Sequence, residues 1–250
     1  MARTPGGSWP VCLLLYTVLQ QPQNTALLLA ALLILVWMLR RQHRNLRMER
    51  SVLFEDCLSL FAGCRLHQRG THYPQLHARW SCGQQNHPVS LRAIADTLQT
   101  RRLPPLWLIM DLSCALDMAG TLDVLVRPTG VEVFSPSRDL PHRHALPGHW
   151  PQNSLIKSSL PDAADVLARI DRAVCALLAD PYSKCLTVRP DGLRYVLQIA
   201  QASPAHYMVM RNAQFGSLRL DPQGLLNKLT LLGGILDALR VPNAAVPGKP

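Results

Sequence analysis

ALLLAALLILVWML (residues 26–39), followed at once by RRQHRNLRMER (residues 40–50), is the stretch that decides the architecture. Fourteen consecutive uncharged, apolar residues give way to Arg40, Arg41, Arg44, Arg47 and Arg50. As a helix, Ala26 to Leu39 reaches about 21 Å at about 1.5 Å per residue, short of the roughly 30 Å of hydrocarbon in a bilayer. Extending the helix back through Thr25 and Asn24 toward Leu19 supplies the missing length and leaves Gln20, Gln21 and Gln23 at headgroup depth. Trp37 suits the interface at the other end, and the arginines can snorkel out of it. The earlier stretch Trp9 to Leu19 is apolar enough to lie in the opposite interface or beside the anchor.

A cleaved signal peptide carries its charge ahead of its apolar region, whereas Arg3 is the only charged residue before this run and a block of arginines follows it. A soluble core helix keeps a polar face, and this run has none. The segment therefore reads as a membrane anchor. Lys and Arg flanking a span are retained in the cytoplasm, which places the C-terminal part there.

The net charge of +10 is front-loaded. Five Arg against Glu49 give +4 over 40–50, and six Arg against Glu55, Asp56 and Asp96 give +3 over 51–105. From 106 to 250, 14 basic and 12 acidic residues nearly balance. A cationic collar beside a membrane attracts anionic lipid, at about 1 kcal/mol per charge near the surface. That placement, with aromatics at only 6%, argues against a nucleic-acid partner, which needs charge on the folded domain interleaved with stacking rings. Seven cysteines, an odd number without paired spacing, suit reduced thiols in a cytoplasmic domain. Of the 26 basic residues 22 are Arg, a bias that fits a GC-rich bacterial genome and hence a bacterial inner membrane.

The expected organisation is a short non-cytoplasmic tail (1–24), a single transmembrane helix (25–39), a basic collar and juxtamembrane helix (40–63), one cytoplasmic domain (64–240) and a disordered tail (241–250). About 200 residues beyond the collar suffice for one core. Leu46 to Ala62 has helical spacing with Gly63 as its stop. Tyr73–Cys82 and Val89–Leu98 alternate around a polar turn at 83–86, which reads as a hairpin. Leu103–Leu116 is nearly continuous apolar, as in a central strand covered on both faces. Leu122–Arg127 and Val131–Phe134 read as a second hairpin around Pro128-Thr129-Gly130, and 135–158, with four prolines, as a surface loop. Pro161-Asp162 opens a helix over Val166–Leu177. Leu186–Arg189 and Leu193–Ala200 form a third hairpin, 207–211 and 217–220 further strands, and Asp221-Pro222 caps a last helix reaching Leu239. The fold class is α+β: a mainly antiparallel sheet of hairpins packed by two helices. Val126-Arg127-Pro128-Thr129-Gly130 recurs as Val188-Arg189-Pro190-Asp191-Gly192, through duplication or because both are good turns.

Chemistry is hard to find in these residues. Gly-x-Ser-x-Gly, Gly-x-x-x-x-Gly-Lys and Gly-x-Gly-x-x-Gly are all missing. Cys57, Cys64, His67, His72, His77, Cys82 and His87 include no close Cys pair of the kind zinc prefers. His142, His144, His149 and Trp150 in the Pro-rich loop form a candidate partner or ligand contact, because loops on rigid scaffolds carry function. Asp111 interrupts an apolar run and needs a partner such as Arg127 or an exposed bulge. No catalytic residue, metal site or cofactor is assigned. The leading reading is a membrane-anchored interaction or assembly protein without catalysis, bound to anionic lipid and to a protein partner. The alternative is a tethered enzyme or metal- or small-ligand-binding protein using the His142–His149 loop. A ligand sensor would need a hollow between the sheet and the helix at 162–179.

Overall fold

The computed structural model describes residues 22–82, 85–97, 103–129, 132–204, 207 and 213–240. The chain divides into two compact units, 1–48 and 49–250. Helix α1 runs over Pro22–Ser51, 30 residues, or about 45 Å at the helical rise. It is long and apolar enough to cross a membrane, and none of its apolar window is buried among the described residues. Leu27, Leu33 and Leu39 are 69%, 69% and 57% exposed, a state that water penalises for every such side chain. Residues 22–25, mostly polar, belong to this helix, as the span requires; residues 9–21 lie outside the described residues. Arg41 stacks over the Trp37 ring at 5.2 Å.

The α-helix does not reach Ala62. It ends at Ser51 and tightens into a 3-10 helix, Val52–Leu60, which buries Leu53, Phe54 and Cys57. Phe54, Cys57 and Leu60 are three apart, which is one turn of a 3-10 helix, so that geometry keeps all three on one side. Gly63 is not a helix stop. It lies in strand β1 (Ala62–His67) with φ +62°, where the register shifts between Ala62 and Arg65.

Eight more strands follow: β2 (Gln75–Cys82), β3 (Gln85–Ala95), β4 (Pro105–Ser113), β5 (Leu122–Val126), β6 (His142–His144), β7 (Ser154–Ser158), β8 (Ser183–Arg189) and β9 (Gly192–Gln201). They form one antiparallel sheet in the order β1-β2-β3-β4-β9-β8-β5-β7-β6. Among the described residues, helices α2 (Ala164–Leu178) and α3 (Pro222–Leu239) pack on this sheet, and the chain is α+β.

The register puts one apolar residue in each of eight neighbouring strands: Leu66, Leu76, Leu91, Met110, Tyr195, Leu186, Val124 and Ile156, with His144 opposite Ile156 at the edge. Most of these side chains share a cluster with Ile170, Val174 and Leu177 of α2 and with Leu229, Leu232, Ile235 and Leu236 of α3. Burying a side chain of this size stabilises by about 1.5–3 kcal/mol, so this layer dominates the energetics. Helix α3 comes close to β2: a Cβ on Gly233 would lie 2.7 Å from Cys82 Sγ and 2.9 Å from the Trp80 ring. Asp221 caps α3 by accepting from Gln223 N and Gly224 N, as its Asp-Pro start implies.

Three expectations need correcting. Residues 132–134 form no strand, and β5 pairs with β7 and β8 instead of with a hairpin partner. β5 is buried at every position, so both its edges are occupied, and Arg127 (φ +49°) turns the chain out of the sheet. The two Arg-Pro turns therefore differ: Arg189 and Gly192 close a β8–β9 hairpin, whereas Arg127 begins a crossover. Segment 135–158 is no plain loop, because it contains a 3-10 turn (Pro136–Arg138), β6 and β7. Residues 217–220 carry no strand, and most of 207–211 lies outside the described residues.

At the C-terminal end of α3, Arg240 Nη2 lies 3.4 Å from Nε2 of His87, a buried residue of β3. Burial first, then the Arg240 guanidinium, lowers the His87 pKa below its ordinary 6.5. The unfolded chain then takes up a proton that the folded chain refuses, so this stability is complete above pH 6.5 and is lost as the pH falls below it. Urea unfolding between about pH 7 and 5 is expected to show an acid slope that His87→Gln flattens; an unchanged slope would contradict the assignment.

Candidate functional site

The sheet face turned away from α2 and α3 is built by the same register shifted by one residue. Across all nine strands it aligns Arg65, His77, Ser90, Asp111, Arg194, Thr187, Asp123, Lys157 and Arg143. Every one of these residues is polar, and six carry formal charge. Part of this face is covered by a strap, residues 132–141, which reaches Asp123 and Trp107, and among the described residues no helix is seen to cover the rest.

The strap is held by Asp123, which is 0% exposed. Its carboxylate accepts from Ser135 Oγ and Ser137 Oγ on one oxygen, each at 2.6 Å. The other oxygen accepts from Thr187 Oγ1 at 2.6 Å and Cys185 Sγ at 3.3 Å. Burial first, and then the adjacent carboxylate, pushes the Cys185 pKa well up, which keeps it a thiol able to donate. A buried carboxylate without a cation persists only when its lone pairs are filled this way. The start of the strap is held by Lys184, whose Nζ lies 2.8 Å from Glu132 Oε1 and donates to the Arg127 carbonyl at 2.7 Å. Both side chains of that ion pair are buried, so losing either partner would leave an isolated charge in the core.

Where the strap ends and the uncovered half begins, the surface sinks into a cleft of ≈310 Å3. Ile94, Trp107 and Ile109 line it from the sheet, and Val133 and Phe134 from the strap. Phe134 tilts against Trp107 with ring centres 5.3 Å apart and planes at 59°. Arg92 and Arg194 close one end. Arg194 meets Asp111 through Nε at 2.7 Å and Nη2 at 3.4 Å, while Arg92 Nη2 approaches the same carboxylate at 3.7 Å. Asp111 is thus paired, but with Arg194 and Arg92 and not with Arg127, whose guanidinium donates to the Ser183 carbonyl. Arg92 Nε is enclosed and has no hydrogen-bond partner. An apolar floor with guanidinium groups at one end can recognise a ligand by shape and charge.

The residues singled out in the sequence are dispersed. Ala26, Trp37, Leu39, Arg40, Arg41, Arg44 and Arg47 are exposed on α1. Arg50 departs from the collar: it donates to the Thr71 carbonyl at 2.7 Å and stacks over Tyr73 at 5.1 Å. His142 and His144 lie on edge strand β6, where His144 Nε2 is 2.7 Å from Ser158 Oγ. His149 Nε2 contacts both oxygens of Asp171 on α2, at 2.9 and 3.0 Å. Trp150 is 2% exposed and donates Nε1–H to the same Asp171 at 2.8 Å, so it anchors the loop from within and offers no face to a partner. Among the described residues no three His, Cys, Asp or Glu converge as metal ligands, and the six cysteines among them are unbridged. A hollow of ≈180 Å3 does adjoin a helix, but it lies between the sheet and α3, lined by Met110, Leu197 and Leu225, and not under the helix at 162–179.

No protein-family model matches the chain, and no curated protein matches it either. A crystal structure of the mycobacterial trehalose monomycolate transport factor A, TtfA, is similar, with a TM-score of 0.36 and 10% identity over 67% of this chain and 75% of that one. A likeness this faint carries no argument about fold or activity.

The Asp171 cluster separates a structural from an exposed role. Asp171→Ala leaves the enclosed Trp150 N–H without an acceptor and is expected to cost about 1–3 kcal/mol. His149→Ala removes only a solvent-exposed side-chain contact to the same carboxylate and is expected to cost a few tenths, about 0.5 kcal/mol at most. Urea midpoints of the two variants decide this; equal costs would contradict it.

Proposed function

We propose that the chain is a membrane-anchored binding protein without catalysis of its own. In this reading residues 25–39 cross a bacterial inner membrane once, and 40–63 form the basic collar and the link to the domain. Arg40, Arg41, Arg44 and Arg47 lie against anionic lipid on the cytoplasmic side, where the positive-inside rule keeps them. The domain from 64 to 240 is then cytoplasmic and takes a protein partner on the sheet face that the helices leave uncovered.

One observation carries this: an apolar helix whose side chains find no cover among the described residues runs directly into exposed arginines. A bilayer supplies the missing cover. Support for the binding face comes from its chemistry, since a row of charged and hydrogen-bonding residues on a rigid sheet suits recognition. His144, His149 and Trp150 are left out of the contact surface, because Ser158 and Asp171 engage them, and His142 stays as a candidate contact on edge strand β6.

A photo-crosslinking amino acid at His77 or Arg79, both exposed on the uncovered face, is expected to trap one discrete heavier species in the alkaline-resistant membrane fraction. The same group at Gln223, exposed on α3, is expected to give none. Release of the chain by alkali, or equal trapping from both faces, would overturn the proposal.

A further inference from the structure

The cleft beside the polar row has a chemistry of its own. Its body is apolar, formed by Ile94, Trp107 and Ile109 below and Phe134 and Val133 at the side. Its cationic end holds two guanidinium groups and one carboxylate, Asp111, which leaves a surplus of one positive charge. Arg194 spends two donors on Asp111, whereas Arg92 reaches it only at 3.7 Å and keeps an enclosed Nε–H without a partner. The enclosed Nε–H is out of a ligand's reach, but the Arg92 side chain is 33% exposed and lines the cleft, so its guanidinium keeps donor capacity there, and the apolar wall strengthens its attraction by lowering the local dielectric.

The rim supplies a second indication. Val133 is 73% exposed and Ile94 45%, so two large apolar side chains stand in water at the mouth of an apolar cleft. A ligand that lies along the cleft would cover both. Asp96, the one acidic residue among the described lining, is four positions from Arg92 along β3 and its continuation, about 13 Å away at the strand rise. It accepts from Trp107 Nε1 at 3.5 Å. A volume of ≈310 Å3 is at the small end of ligand pockets, which span about 300–1,000 Å3 and hold one chain more readily than two. A nucleotide or sugar phosphate would find the anion site but would leave its polar body against isoleucine, valine and phenylalanine.

We infer that this cleft binds a single-chain anionic amphiphile of the fatty-acid type. The carboxylate lies on Arg92 and Arg194, and the alkyl chain runs over Ile109 and Trp107 toward Phe134. This rests on the binding-protein reading only in using the same side of the sheet, and it requires neither the protein partner nor the cytoplasmic orientation.

The test uses the full chain in lipid nanodiscs and a decanoate carrying a diazirine near its tail. Illumination is expected to label peptides containing Trp107 and Val133–Phe134. Unlabelled decanoate should compete, and decanol and decylamine should compete at least about tenfold less well. Arg92→Gln and Val133→Asp, both at partly exposed positions, are expected to reduce labelling about tenfold, and Arg172→Gln on α2 to leave it unchanged. Label confined to α1, competition by decylamine equal to that by decanoate, or labelling indifferent to both cleft variants would overturn the inference. If carbonate resistance and the His77 crosslink persist while the cleft stays unlabelled, the cleft assignment alone fails; if alkali releases the chain but the cleft labels, the anchor reading alone fails.

Discussion

Side chains on a strand alternate with a period of two, so a slip of one residue would exchange the faces of every paired strand. That constraint governs this domain. One row across the sheet, from Leu66 through Met110 and Tyr195 to Ile156, is apolar; the adjacent row, from Arg65 through Asp111 and Arg194 to Lys157, is polar at each of nine strands. From Leu76 to Ile156 the apolar row is buried under α2 and α3, while Leu66 on the edge strand is 45% exposed. The polar row has to stay wet, pair with itself or be capped, and each of these happens along its length.

Capping is the costly case. Asp123 sits in a strand buried at every position, and its charge is tolerated because Ser135, Ser137, Thr187 and Cys185 surround it. Two of these four donors come from the strap, so the buried carboxylate specifies where the strap lies as well as stabilising it. The strap in turn carries Phe134 into place against Trp107, with Val133 at the cleft's exposed rim, and a small second apolar cluster forms beneath it around Ile109, Leu125 and Val196. The cleft thus exists because a polar group is buried in β5. Removing Asp123 would act on the site through the strap, some distance from the arginines that face a ligand.

Much of the fold can be read from local pattern. The spacing of Ile170, Val174 and Leu177, and of Leu225, Leu229, Leu232 and Leu236, marks two amphipathic helices, and alternation marks the β2–β3 and β8–β9 hairpins. The continuous apolar run at β4 correctly implies a central strand. What stays hidden is pairing between distant segments. β6 and β7 are three and five residues long among prolines, and β5 joins β7 and β8 although neither follows it closely in sequence. The cleft is illegible for the same reason: Arg92 and Arg194 are on separate strands, and nothing local says that β4 lies between them. Asp111, an interruption in an apolar run, is the one visible trace of it. In the loop, the histidines stand out by density alone, whereas Trp150 and Asp171 show that segment to be fastened to α2.

Outside this register, the longest run of exposed apolar side chains among the described residues is on α1, which obeys a different solvent. The central claim, that the register sorts the two faces, is tested most directly by two adjacent substitutions in β3. Leu91 is fully buried beneath the helices and Ser90 belongs to the polar row. Equilibrium unfolding of Leu91→Ser should show a loss of about 3–5 kcal/mol, whereas Ser90→Leu should change stability by less than about 1 kcal/mol. Comparable losses, or a larger one from Ser90→Leu, would mean that the faces have been assigned the wrong way round.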